Sequence, residues 1–235
     1  MKYGFRKQSG VELIARGLRY VLTGIAGVIL ALQANGYAID FTHLQVEKLS
    51  LIALSSIPGG ATVTIDGDTV SVRARMVNQL VYPGRYEVAV SRSDYQSWQK
   101  QFVIAPGMAA HDQPELFYET PISLGTHTAA PVELTVPFVD SRLLVIGGEV
   151  WQRNNGIRQL VTRFSEPVIA AEYLDDSHLV VTVGQAVFVL ELDGTNIQQL
   201  LALPSSDPVR LVSSNQGSRL AVIQGTAARE YQLRD

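Results

Sequence analysis

The feature that most limits what this chain can fold into is a stretch of 20 residues, Tyr20 to Ile39, without a formal charge. Its inner part, Tyr20 to Leu32, reads YVLTGIAGVILAL and is almost wholly apolar. At about 1.5 Å rise per residue, 20 helical residues cross the roughly 30 Å hydrocarbon layer of a bilayer. The cations lie ahead of this stretch. Residues 1–19 hold five basic side chains (Lys2, Arg6, Lys7, Arg16 and Arg19) against Glu12, and the first charge after the stretch is Asp40. Lys and Arg concentrate on the cytoplasmic side of a membrane. The expectation is therefore a cytoplasmic basic tail over 1–19, a transmembrane helix over 20–39, and a single-pass protein of the cell membrane with its C-terminal body extracytoplasmic. Two other readings of the stretch stay open: a signal peptide cleaved after Ala34, since Gln33 and Asn35 weaken its outer end, and a buried helix. Thr23, Gly27, Ala31 and Asn35 recur every four residues. A small-and-polar stripe of this kind lets helices approach closely in lipid, which points to a homo-oligomer through Thr23, Gly27 and Ala31.

Beyond residue 19 the chain has 14 basic and 21 acidic side chains, a net of −7. Nucleic-acid binding depends on neutralising phosphates, so this body is a poor candidate for it. Hydrophobic residues make up 46% and charged ones 17% of the chain, enough to bury a core. Cysteine is absent, which excludes thiol catalysis, disulfides and Cys-ligated metal.

After a connector over 40–49 the pattern turns to period two, and residues 50–107 read as about five short strands. Ala61 to Ile65 alternates and meets Asp66-Gly67, a strong hairpin signal. Val70 to Arg73 resumes the alternation. Val81-Tyr82-Pro83-Gly84-Arg85 reads as a Pro-Gly turn with positive φ at the glycine. Tyr86 to Val90 alternates again, Trp98 to Ile104 supplies another strand, and Pro106-Gly107 closes the unit.

These residues resemble the PEGA domain. The matching elements are Ile57-Pro58-Gly59-Gly60-Ala61, Val63-Thr64-Ile65-Asp66-Gly67, Tyr82-Pro83-Gly84-Arg85-Tyr86-Glu87-Val88-Ala89-Val90 and Asp94-Tyr95-Gln96-Ser97-Trp98, in order. Gly59 stands where the family's naming motif has Glu, the Gly-Thr-Pro usual after the first hairpin is missing around Ser71 to Arg75, and Asp94 replaces a Gly. The resemblance implies a small β-sandwich-like module of bacterial and archaeal envelope proteins, a non-enzymatic adaptor or surface module with no catalytic residues to carry over. On the residues alone, Tyr95 and Trp98 are core or edge-packing aromatics rather than ligand stackers.

After a linker or first strand over 108–130, residues 131–235 repeat. Asp140 to Gly148, Asp176 to Gly184 and Gly217 to Gly225 align, and their serines, Ser141, Ser177 and Ser218, lie 36 and 41 residues apart. Glu166-Pro167-Val168 matches Asp207-Pro208-Val209, again 41 apart. A period near 40 made of strand patterns is the mark of β-propeller blades. In the middle repeat, Val168–Tyr173, Leu179–Val183, Ala186–Leu192 and Ile197–Leu203 read as four strands, with Asp193-Gly194-Thr195-Asn196 as the outer turn. Asn154-Asn155-Gly156 takes the same place in the first repeat. About three blades fit, and the last ends at Leu233 after a third strand. Propellers close with about 4–8 blades, so the expectation is an incomplete propeller, extended by further sequence or completed by a partner in preference to a free-standing open arc, whose blade edges would need cover. The fold class is thus all-β with one N-terminal transmembrane helix, a PEGA-like module and about three propeller-like blades.

No phosphate-cradling Gly-Lys-Ser/Thr loop, Gly-x-Gly-x-x-Gly or Gly-x-Ser-x-Gly elbow occurs. His43, His111, His127 and His178 are scattered, so a metal site would need long-range convergence. Asp175-Asp176 and Asp66-Gly67-Asp68 read as hairpin turns rather than calcium ligands. Ser177 and His178 are neighbours that a strand would point to opposite faces. No catalytic, cofactor-binding or metal-ligating residue is assigned, and no cofactor. The functional expectation is a non-catalytic extracytoplasmic adaptor or scaffold. It touches membrane lipid through 20–39 and binds an envelope-protein or cell-wall partner. The alternative is a propeller-type enzyme or ligand-binding protein whose funnel needs further blades.

Overall fold

The computed structural model describes residues 10–40, 45–128, 138–154 and 156–235. Lys2, Arg6 and Lys7 of the basic tail, His43 of the connector, residues 129–137 at the end of the expected linker and the start of the first repeat, and Asn155 lie outside the described residues. The chain divides into two compact units. One takes in residues 1–52, 78–85 and 103–110; the other takes in 53–77, 86–102 and 111–235.

In the first unit, helix α1 (Gly10–Ala34) contains one window, Ile14–Ala34, long and apolar enough to cross a membrane, with 0% of it buried. Twenty-one residues at 1.5 Å give about 31 Å. The helix starts and ends earlier than the expected 20–39. Asn35 Nδ2 donates to the Ala31 carbonyl at 2.7 Å, and Gly36 takes φ +78°. A side-chain bond to the last turn followed by a left-handed glycine stops a helix. Arg16 and Arg19 therefore belong to α1, and Tyr37 and Ile39 do not. The expected connector holds a hairpin instead: β1 (Tyr37–Asp40) pairs antiparallel with β2 (Gln45–Lys48), Tyr37 opposite Lys48.

Among the described residues seven strands follow over 50–112, where about five were expected: β3 (Ser50–Ser55), β4 (Ala61–Ile65), β5 (Asp68–Ala74), β6 (Met76–Val81), β7 (Gly84–Ser91), β8 (Trp98–Ile104) and β9 (Ala109–Asp112). One sheet has the order β6-β3-β9 and another β5-β4-β7-β8. Strands β3 and β4 bury every second residue, the mark of a sheet with one face turned inward. Asp66 (φ +50°) and Gly67 (φ +85°) form the two-residue turn between β4 and β5, the type I′ turn that the Asp-Gly pair specifies. Gly84 differs from expectation. It opens β7 and is not among the residues with positive φ, so Tyr82 and Pro83 alone separate β6, which ends at Val81, from the next strand.

The repeat region belongs wholly to the second unit. Its strands are β10 (Ile122–Thr128), β11 (Phe138–Val139), β12 (Leu143–Ile146), β13 (Glu149–Asn154), β14 (Ile157–Arg163), β15 (Val168–Tyr173), β16 (His178–Val183), β17 (Ala186–Glu191), β18 (Gln198–Ala202), β19 (Val209–Ser214), β20 (Arg219–Gln224) and β21 (Ala227–Gln232). They form three open sheets, β12-β13-β14, β11-β15-β16-β17-β18 and β10-β21-β20-β19. The third strand of the last repeat is not left at an edge. Strand β10 pairs antiparallel along β21 and supplies the fourth, so residues expected as linker finish a sheet that begins 87 positions later in the chain.

The repeat has a packing basis. Leu143, Leu179 and Leu220 occupy equivalent positions and are all buried. Three two-residue hairpins carry glycines at nearly one conformation, Gly147 (φ +58°), Gly184 (φ +55°) and Gly225 (φ +57°), as a II′ turn requires at its first central residue. In the first repeat the stretch from the aligned leucine to the turn is one residue shorter, which moves its turn glycine to Gly147. The middle sheet is buried on both faces. Val180, Val187 and Val189 join a core with Leu211, Leu220 and Val222 of the last sheet. Leu179, Val181 and Leu190 join a second core with Leu143, Val150 and Val161 of the first. Hence β16 reads HLVVTV, a near-continuous apolar run.

Gly194 (φ +82°) seals the outer turn against the neighbouring sheet: a Cβ there would collide with the Val161 carbonyl oxygen. Gly225 meets nothing within 4 Å. Gly194→Ala should therefore cost about 3 kcal/mol, and Gly225→Ala, whose only penalty is its left-handed backbone, about 1–2. Urea unfolding of the two variants side by side checks the difference.

Candidate functional site

The second unit contains a polar seam built from the β8 strand and the outer turn after β17. Trp98, 1% exposed, donates its indole N–H to Glu191 Oε1. Lys100, two residues on and so on the same face, reaches Glu191 at 2.8 Å, Asp193 at 2.9 Å and Asp112 at 3.0 Å. Asn196 Nδ2 donates to Glu191 at 2.9 Å, and Asn196 Oδ1 accepts the Gln99 backbone N–H at 2.9 Å. Gln96 and Gln198 each donate across the seam, to the carbonyls of Gln199 and Ser97. Burial alone would lower the Lys100 ammonium. The bonds to three carboxylates reverse this and hold it above the ordinary lysine range. Asp193, which burial would raise, is held below the usual aspartate value by Thr195 and Lys100.

A second cluster lies where four segments meet. The strap over 113–119 runs between backbone partners: Ile57 donates to Pro114 (2.9 Å), Leu116 to Ile57 (2.7 Å), Gln96 to Phe117 (2.8 Å) and Tyr118 to Leu233 (2.7 Å). It brings Glu115 to Asp175 and His178 of the β15–β16 turn. One ligand atom from each of the three lies within 4.8 Å of the others, a set that could hold a metal ion. His178 Nδ1 is 3.0 Å from Asp175 Oδ1 and 3.9 Å from Glu115 Oε2. Arg234 sits against both carboxylates. It pairs with Glu115, meets Asp175 Oδ2 at 2.9 Å, donates to the Gln216 carbonyl at 2.7 Å, and stands 5.3 Å over the Phe117 ring. Burial pushes its guanidinium down to about 10, still charged at neutral pH. Asp175 is held below the ordinary aspartate value: burial opposes this, but His178 and the N–H groups of Ser177 and His178 outweigh it. A cleft of about 680 Å³ opens on the cluster, lined by Asp176, Ser177, Asn215, Gln216 and Asp235 among others.

Chemically, the cluster is a clamp. Arg234 supplies the positive charge that a cation would bring to Glu115 and Asp175, and the four side chains tie the strap, two hairpin turns and the C-terminal segment together. Asp175 accepts the Ser177 and His178 N–H groups at 2.7 and 2.8 Å, the turn role expected of it. Tyr95 and Trp98 are buried, as a core role requires. His111 and His127 remain separate, in β9 and β10. The convergence of His178 with Glu115, 63 positions earlier, has no local signal in the chain.

Arg234→Met should destabilise by about 3–5 kcal/mol, because Glu115 and Asp175 would stay buried without their partner; chemical denaturation measures it. Asp175 and Asp193 both have depressed folded values. Their stabilisation is therefore present above the ordinary 3.8 and is lost as pH falls through the lower folded values. The urea midpoint should drop steeply below about pH 4, and Asp175→Asn should flatten that fall.

A search of curated proteins gave no match to the chain. Against protein families, the matched segment takes in β3 to β9 and ends in β9 rather than at the Pro106-Gly107 turn: residues 49–111 match the PEGA domain.

Proposed function

We propose that this protein is a membrane-anchored, extracytoplasmic and non-catalytic adaptor. Helix α1 is the anchor, its N-terminus is cytoplasmic, and the β-rich body presents a surface to an envelope-protein or cell-wall partner. The observation that carries the reading is the helix. A window of 21 residues matches the hydrocarbon thickness and is 0% buried among the described residues. Arg16 and Arg19 lie in its first turns, where long cationic side chains reach the headgroups of the cytoplasmic leaflet. The PEGA match supports the extracytoplasmic side.

The three C-terminal sheets act as propeller-like blades in this reading. Strands β11 and β15 of the middle sheet and β19 of the last touch one another, β11 pairs in parallel with β15, and small Ala170 and Ala171 stand at that pairing. Trp98, Lys100 and Glu191 then fasten the PEGA sheet β5-β4-β7-β8 to the blades, so that the second unit moves as one arm. Within lipid, Thr23, Gly27 and Ala31 form the face for a second copy; a Cβ added at Gly27 would meet nothing within 4 Å. No nucleic acid and no cofactor enter this function.

Fractionation and protease shaving test it. The full-length product should pellet with membranes and need detergent for release. Protease added to intact cells or spheroplasts should digest the body while sparing a small N-terminal fragment. Recovery of the unprocessed chain in the soluble fraction, or protection of the body until lysis, would overturn the anchor and the orientation respectively.

A further inference from the structure

One cleft of the second unit differs in character from the rest of this acidic body. It has a volume of about 480 Å³ and is lined by Gly60, Thr62, Val72, Arg73, Ser91, Arg92, Ser93, Asp94, Tyr95 and Tyr118. Two guanidiniums line it beside the Asp94 carboxylate, with the Asp235 carboxylate held behind the lining hydroxyls of Tyr95 and Tyr118, whereas the chain beyond residue 19 carries a net of −7.

The backbone is bent to build it. The β4–β5 ladder pairs Ala61 with Ala74 and then Val63 with Ser71, so Thr62 stands opposite both Val72 and Arg73. Two residues against one make a β-bulge, a device that re-aims a side chain. Arg73 occupies the left-handed region at φ +59°, and Asp94 across the cleft does so at φ +68°. Non-glycine residues hold such conformations at a cost, and they concentrate where function requires it.

The two arginines stand differently. Arg92 donates to the Gly59 carbonyl at 3.1 Å and lies 5.0 Å over the Tyr95 ring, which fixes its plane; it also feels the Asp235 carboxylate. Arg73 is exposed and has no acceptor among the described residues. Around them stand the hydroxyls of Thr62, Ser91 and Ser93 and the apolar side chain of Val72, 64% exposed. Guanidiniums recognise carboxylate and phosphate through paired N–H donors. Hydroxyls and a small apolar wall suit the ring of a sugar.

We propose that this cleft binds a small carbohydrate oxyanion, a uronic acid or a sugar phosphate, with Arg73 as the principal charge and Arg92 as a fixed second one. The site stands whether or not α1 crosses a membrane.

The test uses the full chain in detergent, titrated calorimetrically with glucuronate, glucose 6-phosphate, glucose and inorganic phosphate. Glucuronate or glucose 6-phosphate should bind at least about tenfold more tightly than glucose. Arg73→Gly should weaken that binding by about tenfold or more. Glycine relaxes the left-handed backbone, so the variant should melt no lower than the parent, which separates lost binding from lost folding. Glucuronate success with glucose 6-phosphate failure identifies the uronate as the source, and the reverse identifies the sugar phosphate. Equal binding of glucose, undiminished binding by Arg73→Gly, or no binding of either anion overturns the site. Inorganic phosphate binding as tightly as glucose 6-phosphate overturns the sugar half of the proposal.

Discussion

The architecture of the second unit depends on one sheet being buried on both faces. Strands β15 and β16 supply Ala170 and Val180 to one core and Ala171, Leu179 and Val181 to the other, and all five are fully buried. Removing one such Val or Leu side chain from water contributes about 1.5–3 kcal/mol. The sheet thus stabilises both neighbours through a non-directional effect, which explains how strands with little side-chain polarity hold three open sheets in register.

Apolar burial leaves orientation loose, and the ionic clusters supply it. Glu191 accepts from Trp98, Lys100 and Asn196, a set of bonds that fits one placement of β8 against the outer turn. Arg234 does the same at the other cluster with Glu115, Asp175 and Gln216. A buried charge separated from its partner is far costlier than the pair itself is stabilising. These networks therefore specify an arrangement more than they deepen stability.

Much of the local structure was legible in the chain. Asp66-Gly67 specified its turn because a type I′ hairpin needs left-handed residues at both positions, and few pairs tolerate that. The repeat that aligns Leu143, Leu179 and Leu220 was legible too, and all three are buried, since equivalent strands bury equivalent residues. The helix was legible in its apolar content but not in its limits: Asn35-Gly36 terminates it, and a hydropathy reading ran on to Ile39. Gly84 misled because Pro-Gly describes a turn preference that strand pairing overrides.

The sequence by itself determined an apolar helix, a succession of two-residue hairpins and a PEGA-like order of strands, because each rests on contacts between residues close along the chain. Only the tertiary structure decided that β10 completes the sheet of β21, that Glu115 meets Arg234 and His178, and that Arg73 and Arg92 share a cleft. Those outcomes join positions tens of residues apart. Pairing of that kind is chosen by the packing of whole sheets and by the cost of leaving a backbone edge or a charge without a partner, and no local pattern encodes it.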